Sequence, residues 1–154
     1  MLEDFLEASQ GRSPIMSFST QPNWLFKQTA PHIYPDDASK TDWRYPVGKE
    51  LVDDTMTALG DYYGRLVAWY TRGGFIDEYG QKHTSGYAYS WDYTEIFNEV
   101  EAEHSMNVEY YTRAYDAVIQ GIRRHTNNYD MKYVGMALGG SFFFSFSFVN
   151  LILL

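Results

Sequence analysis

The stretch YTEIFNEVEAEH, Tyr93 to His104, decides how the rest of the chain is read. It opens on β-forming residues, Tyr93 to Phe97, which predict a strand. At Asn98-Glu99 it turns polar at once, and Glu101, Glu103 and His104 follow. A helical pattern resumes only near Asn107. A strand whose C-terminal end delivers an amide and a carboxylate into a loop before a helix is where α/β folds place their chemistry. Asn98 and Glu99 are therefore the first candidate site residues.

Working outward, Asn107 predicts an N-cap, and Glu109 falls in the first turn, where the helix dipole favours negative charge. Val108, Tyr111, Tyr115, Val118 and Ile122 recur at helical spacing and predict a helix over Val108–His125. Arg123, Arg124 and His125 sit in its last turn, where positive charge is favoured. Lys132–Ala137 then reads as another strand. Upstream, Val52, Met56, Leu59, Tyr63, Leu66, Val67 and Tyr70 predict a helix over Lys49–Thr71, stopped by Gly73-Gly74. Phe75–Asp92, rich in Tyr and Gly, shows no period. Ile15–Ser19 reads as a strand, entered through a turn at Gln10–Pro14 from the end of an amphipathic helix at Leu2–Ala8. Lys27–Gly48 holds three of the five prolines and reads as a long irregular loop, which Tyr34, Trp43 and Tyr45 help to order. The order strand, helix, strand, helix, strand predicts an α/β fold with a parallel sheet.

Composition narrows the function. The formal charge of −8 argues against nucleic-acid and anionic-membrane partners, which call for clustered Lys and Arg. With no cysteine, disulfides and thiolate metal sites are excluded, while the compartment stays open. No secretory leader is legible in MLEDFLEA. Glu101 and His104 have the spacing of one di-iron helix pair, but such a site needs a second pair and two further Glu, so neither a metal nor another cofactor is expected. Aromatics make up 18% of residues, many in polar segments, and such rings suit flat polar ligands as well as cores.

The C-terminal end departs from this pattern. From Tyr133 to Leu154 no residue is charged, and SFFFSFSFVNLILL carries neither turn signal nor polar face. The uncharged run approaches the roughly 20 residues that a membrane span needs. Its first part already reads as a strand, however, so residues 141–154 read as an extraneous apolar tail on a domain of residues 1–140.

The strand end YTEIFNE resembles the acid/base strand of clan A retaining glycoside hydrolases, where the fourth strand of a β/α barrel ends in Asn-Glu. FSTQPNWLF, LVDDTMTALGDYYGRLVAWYTRGGFIDEYG and EHSMNVEYYTRAYDAVIQGIRR extend the likeness to glycoside hydrolase family 39, whose relatives include α-L-iduronidases and β-xylosidases. The resemblance covers roughly residues 1–138. It implies that Ile15–Ser19, Tyr93–Phe97 and Lys132–Ala137 are strands three, four and five of a (β/α)8 barrel, about three βα units. It implies that Glu99 is the general acid/base and that Asn98 hydrogen-bonds the sugar hydroxyl beside the anomeric carbon. Glu95 reads as a barrel-interior carboxylate. His104 either faces the sugar from the loop after strand four or is a surface histidine. Trp24 and Trp43 are candidate sugar platforms, with core packing as the competing role. Many relatives continue Asn-Glu with Pro where this chain has Val100. The family's nucleophile, a Glu on strand seven, falls beyond the strands legible here.

The expected function is therefore a part of a retaining glycosidase that carries the acid but not the nucleophile, acts on a carbohydrate and has no defined protein partner. Relatives of this kind are often secreted or lysosomal. The competing expectation is a non-catalytic truncated barrel, associated with a membrane through its tail.

Overall fold

The structure, a computed structural model, describes residues 2–19, 21–30, 33, 35–40, 50–100 and 105–139. Tyr34, Trp43, Tyr45, Glu101, Glu103, His104 and the tail 141–154 lie outside them. The described elements are α1 (Leu2–Ala8), β1 (Ile15–Phe18), α2 (Thr57–Thr71), β2 (Gly74–Ile76), β3 (Lys82–Thr84), β4 (Tyr93–Ile96), α3 (Val108–Thr126) and β5 (Lys132–Val134), with short 3-10 turns at Asn23–Leu25 and Ala38–Lys40. The strands β1, β4 and β5 form one sheet in that order, and both pairings are parallel. Each parallel pair is joined by a crossover that carries a helix, as parallel pairing requires. The expected mixed α/β fold with a parallel three-stranded sheet is what the chain adopts.

Register explains which face is covered. Met16, Thr94 and Tyr133 lie in one row, and Ser17, Glu95 and Val134 in the next. Successive side chains of a strand point to opposite faces, so Met16, Thr94 and Ile96 share one face, and all three are buried. Ile15 at 58% exposure, with exposed Ser17 and Lys132, shares the other. The helices therefore cover one side of the sheet. Buried Thr94 is satisfied twice: its Oγ1 accepts from Trp91 Nε1 at 2.9 Å and donates to Met131 Sδ at 3.2 Å. On the open face the Lys132 ammonium sits 5.1 Å above the Tyr93 ring.

The helix α3 follows the expectation closely. The Asn107 side chain accepts from the Tyr110 amide at 2.9 Å, and Asn127 ends the helix in the left-handed conformation. Ala114, Val118 and Ile122 are fully buried against Leu59, Tyr63 and Val67 of α2. The two helices meet through glycines. A Cβ on Gly121 would lie 1.9 Å from the Gly60 carbonyl oxygen, and one on Gly60 2.3 Å from that of Ala117.

Three expectations need correction. First, α2 begins at Thr57, not near Lys49. Leu51 bridges Phe26 in antiparallel fashion, flanked by Lys27 N donating to Glu50 O and Val52 N to Leu25 O, both at 2.8 Å. Asp53 then closes a turn, with Oδ1 accepting from the Thr55 amide and Oδ2 from that of Ala58 at 2.9 Å each. Val52, counted in the apolar stripe, is 60% exposed. Local hydrogen bonds from Asp and Thr outcompete the helix ladder here.

Second, Phe75–Asp92 is not without structure: β2 and β3 pair antiparallel, with Phe75 opposite His83. Asp77 organises the turn, its carboxylate accepting from the amides of Tyr79 at 3.0 Å and Gln81 at 2.8 Å and bonding His83 Nε2 at 2.8 Å. Gly80 supplies the left-handed step (φ 80°) that this turn needs. The His83 hydrogen bond, ahead of the backbone amides, holds the Asp77 carboxyl below its usual range. Because the folded pKa is depressed, the stabilisation is complete above the unfolded value near about 4 and is lost as pH falls through the folded one. Amide exchange in Gln81–Thr84 should accelerate on acidification through this window. In Asp77→Asn it should be fast and independent of pH over the same range, after correction for intrinsic exchange; an unchanged pH response in the variant would contradict this.

Third, each sheet strand ends earlier than expected. Phe97 (φ 67°) and Met136 (φ 68°) take left-handed conformations that carry the chain out of the ladder after Ile96 and beyond Val134.

Candidate functional site

The end of β4 is held from both sides. Phe97 N donates to Phe18 O at 3.0 Å, and Glu99 N donates to Ala137 O at 2.6 Å. Asn98 and Glu99 thus sit at the C-terminal edge of the sheet, between the exits of its two neighbours. The backbone achieves this through two non-glycine residues at positive φ, Phe97 at 67° and Glu99 at 43°. Such conformations are uncommon outside glycine, persist only where the surroundings over-determine them, and concentrate at functional sites. The surroundings that hold Phe97 are plain: its side chain is 1% exposed and meets the rings of Tyr63 and Tyr111 edge-on, at 5.8 and 6.4 Å between centroids.

This anchoring orients what lies on either side. Asn98 is half-buried and Glu99 exposed. The Glu99 side chain lies against Gly139, where a Cβ would stand 3.1 Å from Cδ and 3.2 Å from Oε2. Glycine at 139 therefore leaves room for the carboxylate, and any side chain there would press on it. Val100 is buried, and Met106 N donates to Val100 O at 3.0 Å.

The exit of β5 is shaped in the same way. A Cβ on Gly135 would meet the Tyr111 hydroxyl at 2.5 Å and the Tyr115 ring at 2.8 Å. The Tyr111 hydroxyl accepts from the Met136 amide at 2.9 Å. Burial raises the Tyr111 phenol above its usual range, and the half-buried Glu95 carboxylate adds to this against the Met136 amide. Burial pushes the Tyr115 phenol up to about 12. Both phenols therefore stay protonated through the neutral range, as fixed dipoles beside the strand ends.

The structure brings together Asn98 and Glu99 of the expected site residues. His104 lies outside the described residues. Trp24 is 59% exposed and packs edge-on against Tyr62 of α2 at 6.1 Å. The groove it lines includes neither Asn98 nor Glu99. Among the described residues, no group of three His, Asp or Glu is close enough to hold a metal ion. Sequence reasoning did not single out Gly135 or Gly139, and it read Tyr111 only as part of the apolar stripe of its helix. Gly135 carried a signal, since it falls inside the expected strand Lys132–Ala137, where glycine marks a bulge or a close approach.

Known proteins add no relative: no family model, curated protein or solved structure matches the chain.

Proposed function

We propose that the chain is part of a retaining glycoside hydrolase of the (β/α)8 type, with Glu99 as general acid/base and Asn98 as the amide that holds the neighbouring sugar hydroxyl. One observation carries this reading: the backbone is left-handed at Phe97 and at Glu99, at the C-terminal end of the central strand of a parallel sheet. That is the edge on which β/α barrels build their sites. The chain order of the three strands and the likeness of YTEIFNE to the acid/base strand support it further. In the retaining reaction one carboxyl attacks the anomeric carbon and a second, about 5–5.5 Å away, protonates the leaving oxygen and then activates water. Glu99 suits the second of these roles, because it is exposed, lies against Gly139, and has its backbone fixed by the Ala137 carbonyl.

The 154-residue chain should not hydrolyse aryl xylosides or iduronides by itself, because this reading assigns it the acid and no nucleophile. An N-bromoacetyl glycosylamine tests the site directly. Its sugar places the bromomethyl group near the acid/base, where a carboxylate oxygen displaces bromide and forms an ester. Peptide mapping should find the adduct at Glu99, suppressed by excess free sugar and absent in Glu99→Gln. Labelling spread evenly over exposed carboxylates such as Asp92 would sink the proposal.

The uncharged run Tyr133–Leu154 favours a second reading, a non-catalytic chain held at a membrane by residues 141–154. Among the described residues no helix is long and apolar enough to cross a membrane. Flotation with neutral liposomes that is lost when the chain is cut after Gly140 would support this reading; the same behaviour with and without the tail would end it.

A further inference from the structure

The outer face of α2 carries a groove of about 560 Å³ that has no part in the strand-end site. Its floor is one stripe of the helix, from Ala58 through Tyr62 and Arg65 to Trp69. At 1.5 Å per residue that stripe is about 16 Å long. Aromatic side chains stand at both ends. Trp24 meets Tyr62 edge-on at 6.1 Å at one end, and Trp69 meets Phe75 of β2 at 6.2 Å at the other. Between them lie charged groups that are already matched. Arg65 pairs with Glu78 at 2.7 Å while its guanidinium covers the Phe75 ring at 5.7 Å. Asp61 bonds His125 Nε2 at 3.0 Å and Arg124 Nη2 at 3.3 Å.

We propose that this groove binds a neutral saccharide. Aromatic faces offer an apolar platform to the C–H side of a sugar ring. The planar guanidinium and carboxylates have hydrogen-bonding capacity left after pairing, and they suit neighbouring hydroxyls. Charge excludes the other occupants. A polyanion is repelled by a chain of net charge −8. A polycation finds the Asp61 and Glu78 carboxylates already partnered from within. An apolar helix of a partner protein would bury Arg65, Glu78 and Asp61 away from water, at a cost that their pairing only partly offsets. A neutral ligand with one apolar face and a hydroxylated edge meets every part of the lining. The proposal stands independently of Glu99, and its test separates the two.

The full chain is run in native gels containing soluble xylan, hydroxyethylcellulose or galactomannan, with heparin as the anionic control. In parallel, xylohexaose is titrated against tryptophan fluorescence. At least one neutral polysaccharide should retard the protein while heparin does not, and the fluorescence should shift and saturate. Trp24→Ala and Trp69→Ala should each weaken retention about tenfold, a loss of the size expected for one aromatic platform. Trp24→Phe should restore most of it, and Glu99→Gln should leave it unchanged. Trp24 is 59% exposed, so its removal leaves the fold in place, which circular dichroism verifies. Three results would overturn the proposal: no retardation by any neutral polysaccharide, retention in both tryptophan variants as strong as in the unaltered chain, or retention lost in Glu99→Gln but kept in Trp24→Ala.

Discussion

Gly121→Ala should cost this protein about 3 kcal/mol or more, although alanine is the better helix former by about 1 kcal/mol. The two effects have opposite signs, and magnitude decides between them. A Cβ on Gly121 would lie 1.9 Å from the carbonyl oxygen of Gly60 and 2.3 Å from its carbon. Both are backbone atoms of the facing helix, so no side chain can turn aside to make room. The helices must separate, and with them the contacts of Val118 and Ile122 with Leu59, Tyr63 and Val67, all at most 1% exposed. Domains are marginally stable, typically by about 5–15 kcal/mol, so a loss of this size removes much of the margin. Chemical denaturation should show a much lower midpoint for Gly121→Ala and for Gly60→Ala, while Gly121→Val should fail to fold. Gly80→Ala is the control: nothing lies within 4 Å, so only the strain of φ 80° remains, about 1–2 kcal/mol. A Gly121→Ala protein as stable as the original would mean that the helices do not cross at these glycines.

That contact also marks where sequence reasoning runs out. Gly60 and Gly121 sit inside helical patterns, where glycine reads as a local weakness, and no periodicity says which backbone approaches them. α3 was legible because every local signal agreed: the Asn107 cap, Glu109 in the first turn, and a stripe ending at Ile122. The start of α2 was not, because Val52 and Met56 fit a helical stripe, while the Phe26–Leu51 bridge and the Asp53 turn leave Val52 60% exposed and bury Met56 ahead of the helix. The hairpin β2–β3 has only three residues per strand, too few for alternation to register, and its turn signal lay in Asp77 and Gly80 alone. At the candidate site, polarity and position in the pattern pointed to Asn98 and Glu99. The left-handed steps at Phe97 and Glu99 could not be anticipated, since both residue types normally avoid them. For Phe97, the rings of Tyr63 and Tyr111 supply the reason from elsewhere in the fold.

In a polypeptide that joins this chain to a strand bearing the nucleophile, Glu99→Gln should lower turnover about 10²–10⁴-fold for glycosides with poor leaving groups. The amide keeps the shape of the side chain and its seat against Gly139, but it carries no proton that it can transfer. Glycosides of strongly acidic phenols leave without protonation, so their first step should be nearly untouched and the covalent intermediate should accumulate. Its hydrolysis still needs a general base, which the amide cannot supply. Glu99→Ala offers a further check. Azide needs no deprotonation to attack, and it fits where the carboxylate stood, so it should restore turnover of the activated substrates and yield a glycosyl azide. Retained configuration in that product is expected, because azide then enters from the face that the acid/base serves. Asn98→Ala should slow both steps and both substrate classes together, since a contact to the neighbouring hydroxyl strengthens in each transition state. If Glu99→Gln slowed the first step equally for good and poor leaving groups, Glu99 would not be the acid, and the strained turn after β4 would need another explanation.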